Sequence, residues 1–167
     1  EMNKIDYLAI IPARAGSKRI KNKNLLKINK KPLFNYTLRS ALKTRKIKKI
    51  IITTNISKLL KKNSKKIFYI KRPEYLCKDD SSTESAILHA LKIFNTHNEI
   101  KIQNIILLQP TSPFRNHQDI NKAIKKFETG KYNSLLSVYE SKFFLWTIRK
   151  KRSFLPLNYN LKKRMRG

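Results

Sequence analysis

Short apolar runs alternate along this chain with longer stretches of helical spacing. Tyr7 to Ile11 is a compact apolar run of strand length. Leu33, Phe34, Leu38, Ala41 and Leu42 then fall on one side of a helix, with Pro32 just ahead, where proline suits a first turn. Residues 49–54 predict a second strand, 56–60 a short helix and 67–70 a third strand. Ser81 and Glu84 have capping-box spacing ahead of a stripe formed by Ala86, Ile87, Ala90, Leu91 and Phe94. Residues 104–108 predict a fourth strand. Asn116 and Asp119 cap a further helix whose buried face is Ile120, Ala123, Ile124 and Phe127. A fifth strand is expected over 135–139, after the Thr129-Gly130 stop, and the pattern weakens from Lys142 onward. Strands alternating with helices in this way predict an α/β domain on a largely parallel sheet.

The chain has 167 residues and no Pro/Gly/Ser-rich linker, so residues 1–167 are expected to form a single domain. Its apolar runs fall well short of the roughly 20 residues a membrane span needs, and the start lacks the basic, apolar and small-residue sequence of a signal peptide. The one cysteine, Cys77, cannot form an internal disulfide, which makes the cytoplasm the expected location. A formal charge of +29 changes the picture more, since a field of that size attracts nucleic acid or an anionic surface. The lysines, however, are spread over every segment among abundant Asn and Ile, as an AT-rich coding sequence produces. Their patches also lack the interleaved aromatic platforms of single-strand binders, so no nucleic-acid or membrane partner is expected.

Ligands of open α/β sheets collect beyond the carboxyl ends of the strands, which singles out two loops. The first runs from Pro12 through Ala13, Arg14, Ala15, Gly16, Ser17, Lys18 and Arg19 to Lys21, Asn22, Lys23 and Asn24. Its small residues let backbone N–H groups approach an anion, while Arg14, Lys18, Arg19 and Lys23 supply donors suited to a triphosphate. Only Gly16 is present, so neither the P-loop nor the dinucleotide glycine spacing is met; by residue type alone, a solvated basic turn fits equally well. The second loop, Gln109-Pro110-Thr111-Ser112-Pro113-Phe114-Arg115, is a stiff polar turn that suits either a polyhydroxylated ligand or a plain connection. Elsewhere the residues alone allow Arg72 as a surface arginine, Ser82 as a first-turn residue, Asn24 as a turn residue and His89 as a packed helix residue. Asp79 and Asp80 read as solvated loop carboxylates.

Taken together and in order, these segments resemble the acylneuraminate cytidylyltransferases, or CMP-sialic acid synthetases, a family that includes CMP-legionaminic and CMP-pseudaminic acid synthetases. The resemblance is carried by residues 11–20 with Lys23-Asn24, by Arg72-Pro73 with Leu76 and Asp79, by Ser82 with His89-Ala90-Leu91, and by residues 108–113 with Arg115. Asn158-Tyr159 and residues 164–167 match more loosely. It implies a three-layer nucleotide-binding domain of the nucleotide-diphospho-sugar transferase type. The implied reaction transfers CMP from CTP to the anomeric hydroxyl of a sialic-acid-like nine-carbon 2-keto sugar acid and releases pyrophosphate. The residues implied are Arg14 and Lys23 at the phosphates, with Lys23 stabilising charge at the reacting phosphoryl group. Ala13, Asn24, Arg72 and Ser82 are implied at the nucleotide, and Gln109, Lys142 and Arg166 at the sugar. Magnesium is implied as cofactor, with its aspartate ligands and a dimer-forming strand expected beyond residue 167, and a homodimer is expected for a longer form. The eight-carbon sugar Kdo, or a basic phosphate- or nucleic-acid-binding module without catalysis, are the competing readings.

Three departures from the family pattern bear on the site. Lys21-Asn22 stands where relatives carry proline, Asn55 stands where an acid is common after the second strand, and Phe143-Phe144-Leu145-Trp146 replaces a His-His-Pro-like segment. These leave open which nonulosonic acid is used.

Overall fold

The computed structural model describes residues 3–16, 20, 22–96, 98, 100–130, 132–140, 143, 145–148 and 154–157. Residues 1–133 and 134–167 form two separate compact units. In the first, the strands β1 (Asn3–Pro12), β4 (Ile47–Thr54), β5 (Ile67–Lys71) and β6 (Ile100–Leu107) make a sheet in the order β5-β4-β1-β6, with every pairing parallel. Between β1 and β4 lie a two-residue-per-arm hairpin, β2 (Lys27–Ile28) and β3 (Lys31–Pro32), and helix α1 (Leu33–Lys43). Asn29 and Lys30 turn that hairpin at φ 46° and 64°, the left-handed pair that a tight two-residue connection requires. Helix α2 (Thr83–Thr96) joins β5 to β6, and α3 (His117–Thr129) follows β6.

The apolar run of β1 has no solvated face because the sheet is covered on both sides. Tyr7, Ala9 and Ile11 pack with Phe34 and Ala41 of α1 and with Ile120 and Ile124 of α3. Leu8 and Ile10 point the other way, onto Ala90 and Phe94 of α2. Successive strand residues thus feed opposite layers, and each fully buried Leu or Ile contributes about 1.5–3 kcal/mol. The parallel α/β sheet predicted from the sequence pattern, and the three layers that the family resemblance implies, are the ones found.

Three local expectations are corrected. Leu42 is 40% exposed, and Thr37 is buried in its place, because the inner face of α1 follows Leu33, Phe34, Thr37 and Ala41. Helix α2 is capped by Ser82 rather than Ser81: the Ser85 N–H donates to Ser82 Oγ (3.1 Å), whereas the Ser81 hydroxyl donates to the Tyr75 carbonyl (2.7 Å). The segment expected as a fifth strand, residues 135–139, has no ladder. Leu136, Val138 and Tyr139 are more than four-fifths exposed, so the composition favours a strand but no partner or apolar surface fixes one among the described residues. The expected cap on α3 forms in full. Asn116 Oδ1 accepts from the Gln118 and Asp119 N–H groups, and Asp119 Oδ2 accepts from the Asn116 N–H. The second unit contains an antiparallel pair, β7 (Trp146–Ile148) and β8 (Phe154–Pro156), extended by the Leu157 N–H donating to the Leu145 carbonyl at 2.7 Å.

Candidate functional site

The chain order places β1 between β4 and β6, so the connections leave β1 in one direction and later return on its other side. A crevice opens at such a point beyond the carboxyl ends of the strands. The loops that meet this edge are 12–16 after β1, 55–56 after β4, 72–82 after β5 and 108–115 after β6.

Thr53, near the end of β4, ties the first three together. Its carbonyl accepts from the Ala13 N–H (3.0 Å) and from Arg72 Nη2 (3.1 Å), while Arg72 Nε donates to Thr53 Oγ1 (3.3 Å). The Arg72 N–H continues the ladder to the Thr54 carbonyl at 2.8 Å. Arg72 is therefore not a surface arginine but is 5% exposed, and Ala13 beside it is fully buried. Burial chiefly lowers the Arg72 pKa; nearby Cys77 works against that shift and the like charge of Arg14 adds to it. An arginine keeps its proton at neutral pH regardless, so the strand ends carry a desolvated positive charge.

Arg14 leaves the first loop toward the β5–α2 connection. Its Nη1 donates to the Cys77 carbonyl (2.5 Å) and its Nη2 pairs with Asp79 Oδ1 (2.7 Å). Asp79, expected as a solvated loop carboxylate, is exposed but also ion-paired to Arg14. Asn24, buried in the 3-10 helix Lys23–Leu25, donates from Nδ2 to the Arg14 carbonyl (2.9 Å), which makes it a brace of the first loop. Asn22 enters that helix at φ 52°, a conformation asparagine tolerates better than most residues. Lys23, at its start, is half-buried. Gly16 sits at φ +79°, so any side chain there is strained although the space around it is open.

Asn55, noted in the sequence only as a departure from the acid of relatives, holds both walls. Its Oδ1 accepts from the Ala15 N–H (2.8 Å) and its Nδ2 lies 3.4 Å from each Glu74 carboxylate oxygen. Ala15, Gly16, Asn55, Glu74, Cys77 and Lys78 line a cleft of about 300 Å³ between these loops. The Cys77 thiol is pushed up by burial and by Glu74, against lowering by Arg72 and Arg14, so it is not poised as a nucleophile.

Ser82 is exposed, with its hydroxyl engaged in capping α2. Gln109 is exposed after β6, in a turn stiffened by Arg115, whose Nη2 donates to the Gln109 carbonyl at 3.2 Å. The structure therefore joins Ala13, Arg14, Asn24 and Arg72 in one bonded cluster. No hydrogen bond links Ser82 or Gln109 to it among the described residues. Ser17, Lys18, Arg19, Lys21, Lys142, Asn158, Tyr159 and residues 164–167, including Arg166, lie outside the described residues. His89 is half-buried on α2, with a buried Nδ1 that has no hydrogen-bond partner among the described residues. Among the described residues no three His, Cys, Asp or Glu side chains stand together as a metal site.

The cytidylyltransferase family matches residues 8–148. An N-acylneuraminate cytidylyltransferase of Escherichia coli is 40% identical over 136 residues, which cover 80% of this chain and 31% of that protein. A CMP-N,N'-diacetyllegionaminic acid synthase of Legionella pneumophila is 34% identical over 135 residues (78% and 56%), and a pseudaminic acid cytidylyltransferase of Campylobacter jejuni is 31% identical over 140 (81% and 59%). The chain thus spans 31% to 59% of the length of these relatives. Among solved structures, a 4-diphosphocytidyl-2C-methyl-D-erythritol synthase from Anaerococcus prevotii superposes with TM-score 0.62 at 18% identity, covering 90% of this chain and 63% of that one. A CMP:2-keto-3-deoxy-manno-octonic acid synthetase complexed with CTP gives 0.56 at 19%, covering 74% and 48%. These likenesses show the nucleotide-diphospho-sugar transferase fold. On its family match and its relatives, the chain belongs to the cytidylyltransferase family, together with enzymes named for acylneuraminic, legionaminic and pseudaminic acids.

Proposed function

We propose that the protein transfers CMP from CTP to the anomeric hydroxyl of a sialic-acid-like nine-carbon 2-keto sugar acid, with release of pyrophosphate. The observation that carries this reading is the bonded cluster at the strand ends, where Arg14 and the buried Arg72 concentrate positive charge beside a small-residue loop. In the reaction the sugar hydroxyl oxygen attacks the α-phosphorus in line, its proton passes to solvent, and pyrophosphate leaves with the bonding pair of the broken P–O bond. The protein's task is to hold the two reactants in line and to offset phosphate charge. Arg14 and Lys23 take the phosphates, with Lys23 at the reacting phosphoryl group. Ala13, Asn24, Arg72 and Ser82 take the nucleoside, and Gln109, Lys142 and Arg166 the sugar acid. Magnesium belongs to the proposal as the ion that offsets triphosphate charge. The described side chains do not gather into a site for it, so no step is derived through it.

The sugar reading is supported by relatives named for nine-carbon acids. Kdo is the second reading, supported by a 3-deoxy-manno-octulosonate cytidylyltransferase of Wigglesworthia glossinidia brevipalpis at 33% identity. A cytoplasmic location and a homodimeric longer form go with the proposal; among the described residues no helix is long and apolar enough to cross a membrane. The test is pyrophosphate release with magnesium and CTP across sialic, legionaminic and pseudaminic acids and Kdo, beside thermal unfolding with CTP or unrelated DNA. The expected result is release with at least one nine-carbon acid and stabilisation by CTP alone. Release with Kdo only moves the assignment to that sugar. No release with any sugar and no stabilisation by CTP overturns the proposal.

A further inference from the structure

We propose that Asp79 is an internal competitor for the nucleotide's phosphate chain at Arg14 and so sets how tightly the site holds CTP, an inference that rests on the CTP reading above. The two terminal nitrogens of Arg14 have acceptors of different kinds. Nη1 donates to a backbone carbonyl, that of Cys77. That carbonyl is held in place: the Cys77 N–H donates back to the Glu74 carbonyl at 2.9 Å, Cys77 Sγ lies 3.4 Å from the Pro73 carbonyl, and neighbouring Leu76 is buried. Nη2 meets instead the carboxylate of Asp79, on a side chain still 38% exposed. The first contact aims the guanidinium, whereas the second occupies its outer edge.

A carboxylate and a phosphate make the same charge-assisted bonds to a guanidinium, so Asp79 and a phosphate oxygen call on the same N–H groups. The surrounding charge favours exchange. The buried Arg72 lies close enough to Arg14 for the two positive charges to interact, and one carboxylate on Arg14 offsets only part of their combined charge. A triphosphate brings several negative charges to the same place. When it binds, Nη2 passes from Asp79 to phosphate while Nη1 stays on the Cys77 carbonyl, so Arg14 changes partner without losing its aim. CTP affinity is then the strength of the phosphate contact less that of the contact it replaces.

Titration calorimetry of CTP against the wild-type protein, Asp79→Asn and Asp80→Asn tests this. Asp80 is the adjacent exposed carboxylate and controls for loss of one negative charge. The expected result is a Kd about two- to fivefold lower for Asp79→Asn, the scale of a partly exposed ion pair, and an unchanged Kd for Asp80→Asn. Equal tightening in both variants overturns the inference, because bulk charge then accounts for it. An unchanged or higher Kd in a folded Asp79→Asn protein also overturns it, and a higher one assigns Asp79 to orienting Arg14. Thermal unfolding identifies a variant that fails to fold, and Asp79→Ser is then read in its place. A wild-type protein that gives no CTP heat removes the CTP reading itself, an outcome distinct from all of these.

Discussion

The loops after β1 and β5 and the loop after β6 share one edge of the sheet but are held in opposite ways. The first two are bonded to each other through the Thr53 carbonyl, Asn55 and the contacts of Arg14, and they enclose a buried arginine. The third is bonded mainly to its own end. Arg115 reaches back to the Gln109 carbonyl and receives the Ser40 hydroxyl on its own carbonyl (3.0 Å), leaving the Gln109 side chain in solvent. What the contrast teaches is that the side proposed for CTP is prebuilt as a charged, braced cluster. The side proposed for the sugar presents polar groups on a stiff stem and leaves its chemistry to exposed side chains. On the proposed function, affinity for the nucleotide would be built into the sheet, while sugar preference would rest on residues that can change without disturbing the core.

The sharpest way to break this comparison is Lys23→Ala. Loss of a cation at the reacting phosphoryl group is expected to reduce pyrophosphate release by about a hundredfold or more while the unfolding midpoint stays near wild type. A loss below tenfold removes Lys23 from that role. Next comes Arg72→Met, which keeps much of the buried volume and removes the charge. It is expected to cost about 1–3 kcal/mol of stability in a denaturant titration, because buried Thr53 loses the donors that Arg72 supplied, and to raise the CTP Kd about tenfold through the lost charge. Unchanged CTP binding would reduce Arg72 to a structural part. On the other side, Gln109→Ala is expected to raise the KM for the sugar acid several-fold, leave the KM for CTP unchanged and move stability by less than about 0.5 kcal/mol, as for an exposed residue. A change in the CTP value would merge the two sides. The smallest effect belongs to Ser82. Alanine there is expected to cost about 1 kcal/mol through the lost helix cap and glycine only a few tenths, while both weaken CTP binding equally if the hydroxyl also serves the nucleotide. CTP binding unchanged in both leaves Ser82 as a cap alone.

The four sheet strands and three α-helices of the first unit were legible because their cause is local and periodic, whereas the short hairpin of β2 and β3 was not read from the sequence. Tyr7 to Ile11 has to be a doubly covered strand, and the stripes of α1, α2 and α3 each need one apolar surface. The strand-end position of the first loop was equally readable. What stayed hidden was decided by partners distant in sequence. Ser81 and Ser82 are equivalent by type, and only the Tyr75 carbonyl, which takes the Ser81 hydroxyl, leaves the cap to Ser82. Asn55 and Asp79 read as a departure and a solvated acid because Ala15 and Arg14, the groups they hold, lie 40 and 65 residues away. The signal that could have found them is their place just beyond strand ends facing a basic loop. Residues 135–139 show the converse: a strand-like composition settles nothing where no neighbour among the described residues completes the ladder.

The place of β1 in the sheet also has a consequence for biosynthesis. β1 is translated before both of its neighbours and becomes an interior strand, flanked by β4 and by β6, whose last residue is Leu107. At elongation rates of about 5–20 residues per second the roughly 95 residues between the end of β1 and the end of β6 take about 5 to 20 seconds to be made. For that interval a strand whose residues Leu8 to Ile11 are fully buried in the folded protein has at least one flank unpaired. Its exposure to chaperones and to neighbouring nascent chains is therefore set by the ribosome's pace rather than by the stability of the finished sheet.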